Sequence, residues 1–170
     1  YLGAIASLPT NASGNATFSQ TLTVMVALGE RITATATNLA TGDTSEFSAH
    51  IAATGPSPIL DLDANDSSGA AGANYQTTFT ENGTAVAIAD ALDAVLTDPD
   101  SPTLARVTVT ITNLADGAAE TLSAATGGTS IVASYAAGVL QLTGADTVAN
   151  YQQVLRTVAY HNASDNPTAT

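Results

Sequence analysis

The sequence predicts an all-β protein built as two tandem antiparallel β-sandwich units. Three observations carry that expectation. Val107, Val109 and Ile111 alternate with Thr108, Thr110 and Thr112, and a period of two places the apolar set on one face of a sheet and the threonines on the other. Short extended segments recur between turn-forming residues along the whole chain, as in sandwiches. Thr54-Gly55-Pro56-Ser57-Pro58 is the one stretch rich in Pro and Gly, and each proline biases its predecessor towards extended backbone, so the domain boundary belongs there. The expected units are 1–53, a linker at 54–58, and 59–170.

Composition narrows the function classes. The 170 residues carry 15 acidic side chains against 3 arginines and no lysine, a net charge of −12. Nucleic-acid binding needs clustered Lys and Arg, so it is not expected. No apolar run approaches the ~20 residues that cross a bilayer, so membrane insertion is not expected either. There is no cysteine, which excludes disulfides and thiolate metal sites and suits an extracellular protein. Folded as one body, a chain of this length buries about 70% of its unfolded surface. Its 45% hydrophobic content rests on Ala, Val, Leu and Ile, with no Trp. The chain opens at Tyr1 in what reads as mid-domain, the pattern of a processed piece or a fragment.

In the first unit, Asn11 to Asn15 form a turn cluster. Ala16 to Val26 read as extended, with Phe18, Leu22, Val24 and Val26 inward. Gly29-Glu30 turns the chain, Ile32 to Thr37 alternates, Thr41 to Thr44 turns again, and Glu46 to Ile51 reads as a last strand. In the second unit, Leu60 and Leu62 share one strand face and Asp61 and Asp63 the other. A polar loop follows to about Asn74. Strands are expected at Tyr75–Thr80 with Phe79 inward, Ala85–Ile88, Leu104–Asn113, Thr121–Leu122, Ile131–Tyr135, Val139–Leu142 and Val158–His161. Ala89 to Ala94 fits no single pattern. Asp146-Thr147 can cap a short helix from Val148 to Leu155, with Val148, Tyr151 and Leu155 on one face.

Two resemblances follow from particular motifs. Tyr1-Leu2-Gly3, Asn11 to Phe18, and Ile32 to Thr37 through Thr44 to Ser48 resemble a small β-sandwich module of bacterial surface proteins, often found after a parallel β-helix. Pro58 to Asp63, Phe79 to Gly83, Thr97 to Ser101, Tyr151 to Tyr160 and Ser164 to Pro167 resemble the cadherin-like repeats of large bacterial adhesins, including RTX-type proteins. The first resemblance implies strands before Tyr1 and the second implies strands after the Asp-Asn-Pro, so both units are expected to be incomplete at the chain ends.

Calcium is the cofactor this residue pattern points to, because it takes six to eight oxygens from carboxylates, carbonyls and water. Asp98 and Asp100 flank Pro99 in one rigid turn, and Glu81 is the expected third carboxylate. The resemblance implies that such acids gather at one end of the sandwich. Asp61 and Asp63 join them or form a second site with Asp66. The competing reading is that Asp-Pro and Asn-Asp-Ser are ordinary turn formers. No EF-hand loop and no Gly-Gly-x-Gly-x-Asp repeat occurs. His50 and His161 lack partners for zinc. Gly-x-Ser-x-Gly is absent, and nothing positions Glu81 with Glu120, so no catalysis is expected.

The expected role is a structural or adhesive module of a bacterial cell-surface protein, contacting neighbouring repeats and an unknown surface ligand. An alternative is the subunit of an extracellular filament, in which open sheet edges of identical chains exchange strands. A third is a carbohydrate-binding module, for which five Tyr, three Phe and no Trp are a poor aromatic supply.

Overall fold

The computed structural model describes every residue except Gly14, Leu22, Met25, Ala169 and Thr170. The chain divides into two compact units, Tyr1–Gly55 and Pro56–Thr170. Strand and bridge positions make up 27% of the described residues, all paired antiparallel, with one α-helix among them.

The first unit holds strands β1 (Arg31–Ile32) and β2 (Ile51–Ala52), paired Arg31 to Ala52 and Ile32 to Ile51. An isolated bridge joins Thr37 to Thr44. None of its described residues is buried. The extended segment expected at Ala16–Val26 forms no strand among its described residues, and Phe18 and Phe47 are 59% and 78% exposed. Leu22 lies outside the described residues. The expected Glu46–Ile51 strand contracts to β2, and the Ile32–Thr37 alternation to β1 and the bridge. For Ile32–Thr37 the physical reason is volume. The side chains along Ile32–Thr37 are mostly Ala and Thr, which remove little apolar area from water.

The second unit is built around β6 (Thr103–Thr110), β8 (Val132–Ala136) and β9 (Val139–Thr147), in the order β6-β9-β8. Register places Val107 opposite Leu142 and Val109 opposite Leu140, with an irregularity between Leu104 and Arg106. Val107, Val109 and Ile111 are half-buried and their threonine neighbours exposed, as the alternation requires. Ala137 and Gly138 turn β8 into β9 with φ of 46° and 82°. Positive φ at both central residues matches the twist of an antiparallel hairpin. A second sheet, β4-β10-β7, consists of β4 (Val86–Ala87), β7 (Glu120–Ser123) and β10 (Ala159–Asn162). A 3₁₀ turn over Gly117–Ala119 leads into β7.

The helix α1 (Val148–Leu155) forms where the capping signal places it: Thr147 Oγ1 accepts the Asn150 N–H at 3.1 Å. Its inward face buries Tyr151, Val154 and Leu155, which join Leu122, Leu140, Leu142 and Val158 in one core. Both three-stranded sheets thus contribute to a single apolar cluster. Full burial of such side chains stabilises by roughly 1.5–3 kcal/mol each. The Tyr151 hydroxyl, fully buried, donates to the Gly144 carbonyl at 2.7 Å.

The remaining pair, β3 (Ile59–Asp61) and β5 (Val95–Thr97), aligns Ile59 with Thr97 and Asp61 with Val95. The strand expected at Tyr75–Thr80 is irregular backbone. Phe79 is nonetheless half-buried, edge-on to the rings of Tyr160 (5.5 Å) and His161 (5.7 Å). The shared face expected for Asp61 and Asp63 is also corrected. β3 ends at Asp61 and the chain turns, so Asp63 is fully buried while Leu60 is 39% exposed.

Candidate metal centre

Asp63 follows β3 directly and is held by the turn that it begins. Its Oδ1 accepts the Ser67 N–H at 3.0 Å and the Ser67 hydroxyl at 3.1 Å; its Oδ2 accepts the Ser68 N–H at 2.7 Å. Hydrogen bonding from Ser68 and Ser67, the Ser68 hydroxyl foremost, keeps the Asp63 carboxyl below the ordinary aspartate value against the opposing effect of burial. Asp63 is therefore a buried charge with its counter-dipoles built in, the condition under which burial of a carboxylate is tolerated.

Asp90 and Asp93 come from the segment between β4 and β5. The Asp90 N–H donates to the Leu62 carbonyl at 2.8 Å, which brings this segment alongside the Asp63 turn. Asp90 Oδ1 accepts the N–H groups of Leu92 at 2.6 Å and Asp93 at 3.1 Å. Those donors, Leu92 first, lower its pKa. Ala89 and Ala94 on either side are buried. The Ala94 carbonyl accepts both Nε (2.9 Å) and Nη2 (2.7 Å) of Arg156, and the Leu96 N–H donates to Gln152 Oε1 at 2.9 Å. Helix α1 and its cap residue Arg156 thus pin the far side of the acidic segment.

Asp93 is the exception in this network. Both of its carboxylate oxygens are buried and neither has a hydrogen-bond partner. Burial first, then the charges of Asp90 and Asp63, push its pKa up, against a smaller lowering influence of the Asn65 backbone. One carboxylate oxygen from each of Asp63, Asp90 and Asp93 lies within 4.8 Å of the others. Two calcium–oxygen bonds of about 2.4 Å span that distance. Buried polar groups are almost always satisfied. With two orphaned oxygens close to two further carboxylates, the three acids could hold a metal ion. The set is all-oxygen and anionic, the chemistry of a hard cation and not of a thiolate- or imidazole-seeking metal.

Of the residues expected from sequence, only Asp63 belongs to this cluster. Asp61 stands beside it and spends Oδ1 on the Asp63 N–H at 3.0 Å. Asp66 caps the same turn through its own N–H, donated to the Asp63 carbonyl at 2.9 Å. Asp98 and Asp100 lie in the turn before β6, where the Asp100 N–H reaches Asp98 Oδ1 at 3.4 Å. Interaction with the Asp98 side chain raises the Asp100 pKa. Glu81 does not join them. It lines a groove of about 770 Å3 with Phe79, Ile111, Asn113, Glu120 and Tyr160, at the C-terminal end of β6. The eight residues of β6 put roughly 26 Å between that end and the Asp98 turn. Among the described residues, the one group of three such ligands is Asp63, Asp90 and Asp93.

Glu120, paired with Glu81 on composition alone, is committed elsewhere. Its Oε1 accepts the Asp116 N–H at 2.7 Å and its Oε2 the Tyr160 hydroxyl at 3.0 Å. His161 is half-buried in β10, against Phe79. Among the described residues no helix is long and apolar enough to cross a membrane. Comparison of the chain with protein-family models, with curated proteins and with solved structures finds no match.

Proposed function

We propose that residues 56–170 are a calcium-stiffened structural module of an extracellular bacterial surface protein, serving adhesion by holding a binding surface away from the cell. The observation that carries this reading is the Asp93 carboxylate, buried without a partner and facing Asp63 and Asp90. A cation there neutralises the repulsion within the cluster and joins the Asp63 turn to the Asp90–Asp93 segment. The cysteine-free, strongly acidic composition agrees with a secreted protein that draws its rigidity from a cation instead of disulfides. The likeness of residues 58–167 to cadherin-like adhesin repeats points the same way, and the Ig/cadherin-like sandwich belongs to this proposal. No catalytic role is proposed.

Calorimetric titration of the metal-free chain with calcium tests the reading, with Asp93→Asn alongside. Saturable binding at a single site, lost in Asp93→Asn, is the expected outcome. Equal behaviour of both proteins would remove Asp93 from the account.

One further observation favours a second reading. β6 pairs with β9 alone, so its other edge is open among the described residues. An open edge can receive a strand from an identical chain, which would make the molecule a filament subunit. Polymers that grow with protein concentration in light scattering support it, and a monomer at all concentrations rejects it.

A further inference from the structure

Ser67 stands among the three carboxylates without being one of them. Its hydroxyl oxygen lies 3.1 Å from Asp63 Oδ1 and 3.3 Å from Asp90 Oδ2. The hydroxyl has one proton and faces two anionic acceptors, so it can satisfy only one of them fully. It also has two lone pairs, and the residue is solvent-exposed, which leaves water a path to the same place. Adjacent oxygens around one calcium ion, each about 2.4 Å from it and some 80–90° apart, are about 3.1–3.4 Å from one another. Ser67 Oγ has that spacing to both carboxylates.

We propose that Ser67 Oγ is the fourth ligand of a cation at Asp63, Asp90 and Asp93, a neutral oxygen that closes the Asp63 turn over the ion. The inference rests on reading this cluster as a cation site. Ser67 is placed for the role by its own backbone. Its N–H is shared between Asp63 Oδ1 (3.0 Å) and Asn65 Oδ1 (2.8 Å), which fixes the residue over the cluster. On binding, the hydroxyl keeps its proton on Asp63 Oδ1 and turns a lone pair to the ion. The hydrogen bond to Asp90 is released, and Asp90 Oδ2 is freed for the metal. Asp93 contributes a carboxylate whose oxygens are buried and without a hydrogen-bond partner. Water completes the shell on the exposed side, so the site favours calcium, which tolerates six to eight irregular oxygens, over magnesium, which demands a near-ideal octahedron.

The test uses the full chain and two probes, calcium by calorimetry and terbium by luminescence lifetime, which counts the waters on the bound ion. Ser67→Ala is expected to add one water to bound terbium and to weaken calcium by about tenfold, the lower end of what removing a partner of a metal ligand costs. Ser67→Thr, which keeps the hydroxyl, is expected to match the wild type on both counts. Ser67→Cys keeps the size but replaces a hard oxygen with a soft sulfur, and is expected to behave as Ser67→Ala; it decides the matter should Ser67→Ala not fold. Unchanged hydration and affinity in Ser67→Ala and Ser67→Cys would overturn the role of Ser67 and leave the cation site standing. Absence of calcium and terbium binding by the wild type would overturn both.

Discussion

Residues 1–55 and 56–170 are written in the same alphabet and reach different ends. Both alternate apolar residues with threonine, and both punctuate with Gly, Asn and Asp. Yet the first unit buries none of its described side chains, while the second assembles a core of leucine, valine, isoleucine and tyrosine. Alternation marks which side chains share a face, but the face must carry volume before burial offsets the entropy of ordering the chain. Along Val139–Leu142 the inward residues are Leu140 and Leu142; along Ile32–Thr37 they are mostly Ala or Thr. The second unit also has α1, whose Tyr151 and Val154 fill space that its short strands alone would leave open.

That contrast can be broken or sharpened by substitution. The largest effect is expected from Leu142→Ala, which removes a fully buried side chain at the centre of the β6-β9-β8 sheet. It should cost about 2–5 kcal/mol in urea unfolding. A cost under 1 kcal/mol would mean that the core is not packed as described. Thr147→Ala removes the cap of α1 and should cost about 1 kcal/mol in the same experiment, with Thr147→Ser near neutral. At the other extreme, Phe47→Ala in the first unit should fall within about 0.5 kcal/mol, because the ring is already exposed. A larger loss would reveal a core in residues 1–55.

Acid sharpens the comparison along a different axis. Hydrogen bonds from the Asn162 and Thr168 side chains hold the Asp116 carboxyl below its ordinary value of 3.8. The N–H groups of Ser130 and Thr147 do the same for Asp146. A lowered folded pKa contributes stability that is present above 3.8 and lost as pH falls through the folded value. Melting temperature should therefore drop below pH 3.8, and less steeply in Asp116→Asn and Asp146→Asn. Asp93 runs the other way. Its raised pKa lets the folded, cation-free chain hold a proton that the unfolded chain has lost, so acidification from above stabilises through that site. A profile unchanged by both Asp-to-Asn substitutions would remove these two carboxylates from the acid response.

Much of the second unit was legible in its residues. The Val/Thr alternation of β6, the Ala137-Gly138 turn and the Thr147 cap are local signals, and each formed as local chemistry dictates. The site was legible only in part. Asp63 stood out within Asp61-Leu62-Asp63, but its partners lie in Ala89 to Ala94, where two aspartates among alanines match neither period. Bonds made in the folded chain, from the Asp90 N–H to Leu62 and from the Ser67 hydroxyl to Asp90, bring the two stretches together. Asp98-Pro99-Asp100 drew notice because its carboxylates are close in sequence. Glu81, the third acid expected there, lines a groove at the other end of β6. Ser67 offers no signal at all in a chain rich in serine and threonine, since its oxygen matters only by position.

The central proposal is that Asp63, Asp90 and Asp93 bind a cation, and a thermal melt of the second unit's transition with and without millimolar calcium tests it most directly. A ligand bound only to the folded state stabilises by about 2.7 kcal/mol at a hundredfold excess over Kd. The account predicts a clear upward shift for the wild type, absent in Asp93→Asn. An identical melt with calcium and with chelator would contradict it, and would leave Asp93 as a buried acid kept neutral by its own proton.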